Sequence, residues 1–516
     1  MNFKNLCLPT IVMFISTLVH AGGIITNSNQ SASWVRMFAR DASQEIDAVY
    51  YNPAGLTSLN DGLSISLNNQ SVFSKKTIKN NYQYLNTHDY IGDISVPFFP
   101  SVYAAYKTGK FVFSAAFNPV GGGGKATFED GLPSFELGIS DLKPALLSKG
   151  VTDYSSNVYF KGSSVFYGGQ FGISYKVNDI VSLFGGLRYV YACNTYEGYL
   201  KDNTLYFGTT PMSASTFFTS AAQQASATAT NFAAQPPTNI LSDAAADATG
   251  LPHGITYGAA AAALSQKSAA YSAKAILLSD QEVDVEQTGK GFTPIVGLNL
   301  NLLDSKLDIG LKYEFLTKLK LRNHTQKDIT TGFTSTGAAI TQFPNHAETA
   351  SDMPALLSVG VSYKVLNNFK LSAGVHYYFD KNADYGRSFN GVIVENKDVI
   401  SKNNYELALG MEYDLSDKFR LSAGYLLAKT GVMVGYNTDL SYALSSNSVG
   451  FGGKLAVSPR MDINLGMSYT AYTPSDKTYD HTIPTTTPQT VTLKESYYRD
   501  ALIFSIGFDI KLGKIF

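Results

Sequence analysis

The sequence predicts an all-β protein: an antiparallel transmembrane β-barrel of about 14 strands with a small N-terminal plug inside its lumen. Three observations predict it. Repeated segments alternate strictly between apolar and polar residues. Connections between them are short and long by turns. The composition is aromatic, glycine-rich and poor in charge.

Of 516 residues, 44% are hydrophobic and 16% charged, with a net charge of -1. A nucleic-acid partner would want clustered Lys and Arg, which this balance does not offer. The 33 Tyr, 31 Phe and 44 Gly suit a membrane barrel with aromatic girdles at both interfaces. They suit a soluble β protein as well, so the pattern along the chain has to decide.

The first residues read as a signal peptide over 1–21: Lys4, an apolar run over 6–19, and the small-residue site Val19-His20-Ala21. That run falls short of the ~20 residues that span a bilayer, which argues against a retained anchor. Beyond it only Cys193 remains, so no internal disulfide is expected. No other segment is apolar for long enough to make a transmembrane helix. An exported chain of this kind is periplasmic, secreted or an outer-membrane barrel.

The last strand points to the barrel. Phe504, Ile506, Phe508, Ile510 and Leu512 share one face, and Ser505, Gly507, Asp509, Lys511 and Gly513 share the other. Period-two alternation places one face in an apolar medium and one in a polar medium. The chain ends on Phe516, and a terminal aromatic after such a strand resembles the assembly signal read by the barrel-assembly machinery. The same alternation recurs at 307–315, 369–379, 406–413, 419–427 and 461–469.

Short links join one end, at 107–110, 177–180, 303–306, 365–368, 415–418 and 458–460, and long polar stretches join the other. Short periplasmic turns and long outer loops are the barrel signature, and closure removes the sheet edge that lipid cannot hydrate. A soluble sandwich alternates too, but its loops do not sort this way. Strands are expected to start near Gly62, Pro97, Lys110, Gly162, Ile180, Gly291, Lys306, Pro354, Asn368, Asn403, Lys418, Asn447, Arg460 and Asp500. Gly172, Gly186, Gly297, Gly310, Gly360, Gly374, Gly410, Gly424, Gly452, Gly466 and Gly507 all fall on the polar face near mid-strand. They either leave room for a plug or substrate, or relieve barrel curvature.

Residues 22–61 alternate weakly and hold Trp34-Val-Arg-Met-Phe-Ala-Arg40 and Asn52-Pro53-Ala54. They form either a lumen plug or a periplasmic tail. A lumen of ~14 strands is wider than its wall side chains fill, so a plug is physically reasonable. Pro53 fixes φ and lacks an N–H, and Asn52 before it is pushed out of the helical region, so a rigid bend is expected. Phe117-Asn118-Pro119-Val120-Gly121 ends the third strand, where Pro119 breaks the ladder and the glycines to Gly124 add backbone freedom. Both motifs otherwise read as ordinary loop turns.

At these residues the chain resembles the FadL/TodX family of outer-membrane channels for long-chain fatty acids and aromatic hydrocarbons. Asn52-Pro53-Ala54 is similar to the motif of that family's N-terminal hatch. Phe117 to Gly121 resembles the third-strand segment where a kink opens the wall sideways. The resemblance implies a hatch over 22–61, a barrel over 62–516, and an outer-loop binding groove within the insert at about 201–281. That insert is rich in Ala, Ser and Thr, with helical composition at 213–234 and 258–279. It is expected to be either a helical cap, with Phe217 and Phe218 on a capture face, or a low-complexity loop.

No nucleophile elbow appears, and no histidines pair at metal-ligand spacing. No enzyme activity, cofactor or metal is expected. His376 on a lumen face reads as a solvated histidine. Arg188, Lys312 and Arg420 on lumen faces are candidate contacts for a ligand carboxylate. The expected function is passive transport of hydrophobic small molecules, long-chain fatty acids first, through loop capture, hatch rearrangement and lateral exit at the third strand. The alternatives are a general porin, a barrel lipase, or a structural or adhesive barrel. The expected surroundings are outer-membrane lipids and lipopolysaccharide around a monomer of a Gram-negative outer membrane.

Overall fold

The computed structural model describes residues 24–389, 392–485 and 487–513. The expected signal peptide at 1–21 and the terminal Phe516 lie outside them.

Fourteen strands form the wall. They are β1 Gly62–Asn80, β2 Asp89–Thr108, β3 Phe111–Phe128, β4 Asp153–Lys176, β5 Val181–Phe207, β6 Gln281–Leu302 and β7 Leu307–Glu314. The rest are β8 Leu356–Leu366, β9 Phe369–Tyr378, β10 Tyr405–Ser416, β11 Phe419–Lys429, β12 Ser446–Ser458, β13 Met461–Tyr472 and β14 Gln489–Gly513. Each pairs antiparallel with its sequence neighbours, and β14 pairs with β1 from Leu63↔Gly513 to Asn80↔Glu495 to close the barrel. Phe73, Phe113, Phe171, Phe292, Leu409, Phe451 and Phe504 are exposed on the outer face, as an apolar belt requires. The inner face carries Ser, Asn, Gln, Gly and charged residues.

Several strands begin earlier than the alternation suggests. β2 starts at Asp89 rather than Pro97, β4 at Asp153 rather than Gly162, β6 at Gln281 rather than Gly291, and β14 at Gln489 rather than Asp500. A transmembrane strand needs only ~9–11 residues. These strands run on past the lipid, where both faces meet polar surroundings and alternation fades. Lys320–Lys327, Glu348–Ala350 and Ser475–Ile483 add to this outer wall.

The long insert is helical. Residues 24–58 contribute the short helices α1 Ala32–Arg36 and α2 Ala48–Tyr51, and Pro133–Ser140 forms α3. The insert then supplies α4 Ala214–Ala233, α5 Asp243–Thr249 and α6 Tyr257–Leu277. Ser213 and Thr256 cap α4 and α6 by accepting from the N–H groups of Thr216 and Ala259. No helix among the described residues is long and apolar enough to cross a membrane.

Candidate functional site: the plugged lumen and its interrupted wall

Residues 24–58 lie inside the barrel, with Trp34, Val35, Arg36, Arg40, Tyr51 and Leu56 nearly or wholly buried. Ser31 starts α1 by accepting a 3.0 Å hydrogen bond from Trp34 N. Asn52 leaves the helical region (φ -144°, ψ 68°), and Pro53 opens a 3-10 turn over Pro53–Ser58. A proline fits there because the first N–H of a helix has no partner anyway. Asn52 Nδ2 donates to Ser43 O (3.0 Å) and Asn299 Oδ1 (2.7 Å), and Pro53 O accepts from Ser174 Oγ (2.7 Å). Ala54 packs with Phe184 and Ile295. The three motif residues thus tie the segment to β4, β5 and β6.

Glycines let that segment approach the wall. A Cβ on Gly310 or Gly360 would stand 2.1 Å or 2.5 Å from Asp41 backbone atoms. One on Gly450 would stand 2.4 Å from Val35 O, and one on Gly466 3.0 Å from both Ala32 O and Arg36 N. Gly374, Gly410, Gly424, Gly452 and Gly507 likewise face residues 32–41. Gly172 and Gly186 instead meet the Phe184 ring, so there the glycine serves the wall's own packing.

Buried charge completes the attachment. Arg36 Nη1 lies 2.7 Å and Arg40 Nη1 3.7 Å from Glu412 Oε1 on β10, while Arg40 Nε, 2.7 Å from Asp47 Oδ2, ties the segment to itself. His376 bridges Asp41 and Glu406 at 2.7 Å each, so it is a buried link between segment and wall rather than a solvated side chain. Arg188 and Lys312 both reach Glu314, at 2.5 and 2.7 Å, and flank the Tyr50 ring at 5.0 and 4.7 Å. Lys312 Nζ also donates to Tyr50 O (2.7 Å). Arg420 pairs with Asp414 (2.5 Å) and Glu45 (3.2 Å). All three cations face the lumen, and each is held by a carboxylate. Glu45 also meets Lys454 at 2.6 Å. Burial alone would raise the Glu45 carboxyl, but Lys454, Arg40 and Arg420 outweigh it and hold it well below the usual carboxylate range.

The wall is interrupted on one side. β2 pairs with β3 from Thr108↔Phe111 to Val102↔Phe117, and resumes only at Ile94↔Ala126. Between them, 95–101 and 118–125 lack ladder partners in each other. Pro97, Pro100 and Pro119 fall in this stretch, and each removes an N–H that a ladder would need. Gly122 and Gly124 take φ +82° and +72°, bulging β3 against β4. The N-terminal segment occupies the break. Asn27 N donates to Val120 O (2.9 Å) and Gly122 N to Ile25 O (3.0 Å). Asn27 Nδ2 donates to Gly122 O (2.9 Å), Gln30 Nε2 to Pro119 O (2.8 Å), and Asn118 Nδ2 to Gln30 Oε1 (2.6 Å). On the lipid side Phe117 is half exposed and stacks on Tyr167 at 6.0 Å, while Val120 is fully buried.

The insert's aromatics sit elsewhere. Phe218 is buried among Ile139, Leu142, Tyr154, Leu205 and Leu278, and Phe217 packs against the same cluster. Both rings hold the helical hairpin to the rim formed by α3, β4 and β5.

Sequence reading missed the partners of these groups. Asn27, Gln30, Asp41, Glu45, Glu406 and Glu412 carry no local signal. The two prolines of β2 opposite Pro119 were the available clue to the break.

A barrel with an apolar belt, a lumen filled by its own N-terminal segment and one interrupted strand pair is an outer-membrane transport barrel. The model of the outer membrane transport protein family OMPP1/FadL/TodX matches residues 166–511, and the chain belongs to that family. The fold is similar to the crystal structure of a Pseudomonas aeruginosa FadL homologue (TM-score 0.58, 14% identity, 95% of this chain and 100% of that one covered). It is also similar to that of the Pseudomonas putida toluene transporter TodX (TM-score 0.52, 13% identity, 95% and 100% covered). No curated protein matches the chain by sequence. The Asn52-Pro53-Ala54 motif and the break at β3 lie before the residues that the family model matches.

Proposed function

We propose that this barrel passes hydrophobic small molecules, long-chain fatty acids first, from the outer loops into the lumen and sideways into the membrane between β2 and β3. Residues 24–58 act as the hatch on this route. The observation that carries the reading is the unpaired stretch of 95–101 and 118–125, filled by residues 25–30. A ladder break in lipid leaves backbone groups without partners. Here the hatch supplies them, so its movement would open a lateral path lined by Phe98, Phe117 and Val120. An apolar solute would leave the lumen there without crossing water. The driving force is burial of apolar area, ~25 cal/mol per Å².

The test removes Gly122, Gly123 and Gly124, so that β3 can run straight against β2. Uptake of radiolabelled oleate by cells lacking other such channels should fall to background, while the barrel keeps its heat-modifiable migration on gels. Unchanged uptake by the folded variant would rule out the lateral route.

A further inference from the structure

Above the apolar belt the outward face of the wall carries cations, and several of them are matched by acids. Lys79 pairs with Asp89 at 2.9 Å, Lys161 with Glu197 at 2.5 Å, and Lys494 with Asp476 at 2.8 Å. Lys75 stands in register with Asp93 on β2 and with Asp500 on β14. One stretch of the face departs from this. On β6, Lys290 is in register with Tyr191 of β5. On the other side of β6 runs the outer strand Lys320–Lys327, where Arg322 pairs with Thr288. The same register brings Lys320 beside Lys290, and a Cβ added at Gly289 would stand 2.6 Å from Lys320 O. Lys290, Lys320 and Arg322 are all exposed, and among the described residues none of the three forms an ion pair. Glu348 is in register with Arg322, Glu286 with His324, and Lys318 is taken up by Asp352 at 2.6 Å.

Like charges side by side on a strand pair repel, so Lys290 and Lys320 are unfavourable neighbours unless something negative lies over them. Their position says what that is. Phe292 lies two residues nearer the lipid than Lys290, and Phe315 three nearer than Lys318; both rings are exposed on the outer face. Tyr189 packs on Phe292 with ring centres 5.3 Å apart. The cations therefore stand at the edge of the apolar belt, the level at which lipid headgroups lie. This is the outer edge, because β6 and β7 join by the short link 303–306 at the other end. Neighbouring strands lie ~4.8 Å apart, and alternate residues along one strand ~6.7 Å. Lys290 and Lys320 can thus share one phosphate. Arg322, one step further out, offers its planar fork to a second.

We propose that Lys290, Lys320 and Arg322 bind the doubly phosphorylated sugar headgroup of an outer-leaflet glycolipid, the lipid anchor of lipopolysaccharide, with its acyl chains laid along Phe292, Phe315 and Tyr189. Two phosphates on one headgroup match two sets of donors, where a phospholipid brings only one. Exposed ion pairs are weak singly and are screened by salt. Here three cations act together beside a lipid surface that keeps water to one side, and the acyl chains hold the phosphates at the right height. The site lies on the outside of the barrel and is independent of the solute's route through it.

The experiment is native mass spectrometry of the purified protein in a non-ionic detergent. The probes are diphosphoryl lipid A, monophosphoryl lipid A and phosphatidylglycerol. The wild type should bind the diphosphoryl lipid at least tenfold more tightly than either of the others. The double variant Lys290→Gln, Lys320→Gln should bring that preference to within about twofold, and Arg322→Gln should lose part of it. Lys75→Gln, a cation between two acids at the same level, should keep it in full. All four side chains are exposed, and heat-modifiable migration on gels reports that each variant is folded. Equal binding of the two lipid A forms by the wild type, or a double variant that keeps the preference, would overturn the site. Phosphatidylglycerol bound as tightly as the diphosphoryl lipid would make the patch a general anionic-lipid surface and overturn it too. None of these results bears on oleate uptake, so the transport reading stands or falls separately.

Discussion

A glycine on the lumen face acts through what lies across from it. At Gly360 an added Cβ would press on Asp41 C (2.5 Å) and Ala42 N (2.6 Å), both backbone atoms that cannot rotate away. Gly169 faces outward with nothing within 4 Å. Gly360→Val should therefore push the hatch off the wall and raise planar-bilayer conductance severalfold, while Gly169→Val leaves it unchanged. Equal conductance in the two variants would mean that the hatch does not limit the pore. The row of lumen glycines was legible in the sequence because each falls in register on a polar face. Its purpose was not, because curvature relief and close approach leave the same trace. Only the N-terminal segment, lying over Gly310 to Gly507, separates them from Gly172 and Gly186.

At the scale of the element, alternation reads strands where one side meets lipid. That condition holds over the apolar belt and lapses above it, which is why β4 and β14 were recognised by their lower halves. The helices of the insert were legible from composition and caps, but their attachment was not. Phe218 anchors α4 through a cluster drawn from α3, β4, β5 and α6. Phe218→Ala should remove roughly 3–5 kcal/mol from that local packing. The hairpin should then become sensitive to limited proteolysis at 201–281 with no change in the barrel's own heat-modifiability. A hairpin as resistant as the wild type's would show that other contacts hold it.

The whole molecule is fastened by charges far apart in sequence. Arg36 and Glu412 are 376 positions apart, and His376 and Asp41 are 335 apart. No periodicity or motif encodes such a pairing, so the barrel was legible and its lock was not. The lock has a pH dependence with a definite sign. Glu45 is held below its ordinary range by Lys454, Arg40 and Arg420. A depressed carboxylate contributes stability above its unfolded pKa of ~4.3 and loses it as pH falls through the folded value. Conductance should be low at neutral pH and rise only as the solution is acidified well below the ordinary carboxylate range. A profile that stays flat down to the most acid pH at which the barrel remains folded would remove this network from the gate. Glu45→Gln should move part of the rise to neutral pH.

The five hydrogen bonds that seat residues 25–30 in the β3 break also set a minimum size for anything that leaves by that route. At ~1 kcal/mol net each, unseating them costs about 5 kcal/mol. An apolar solute offsets that by burying about 200 Å² at ~25 cal/mol per Å². Short hydrocarbons fall below this threshold and long chains exceed it. On the proposed route, the door would therefore measure the length of its passenger before opening.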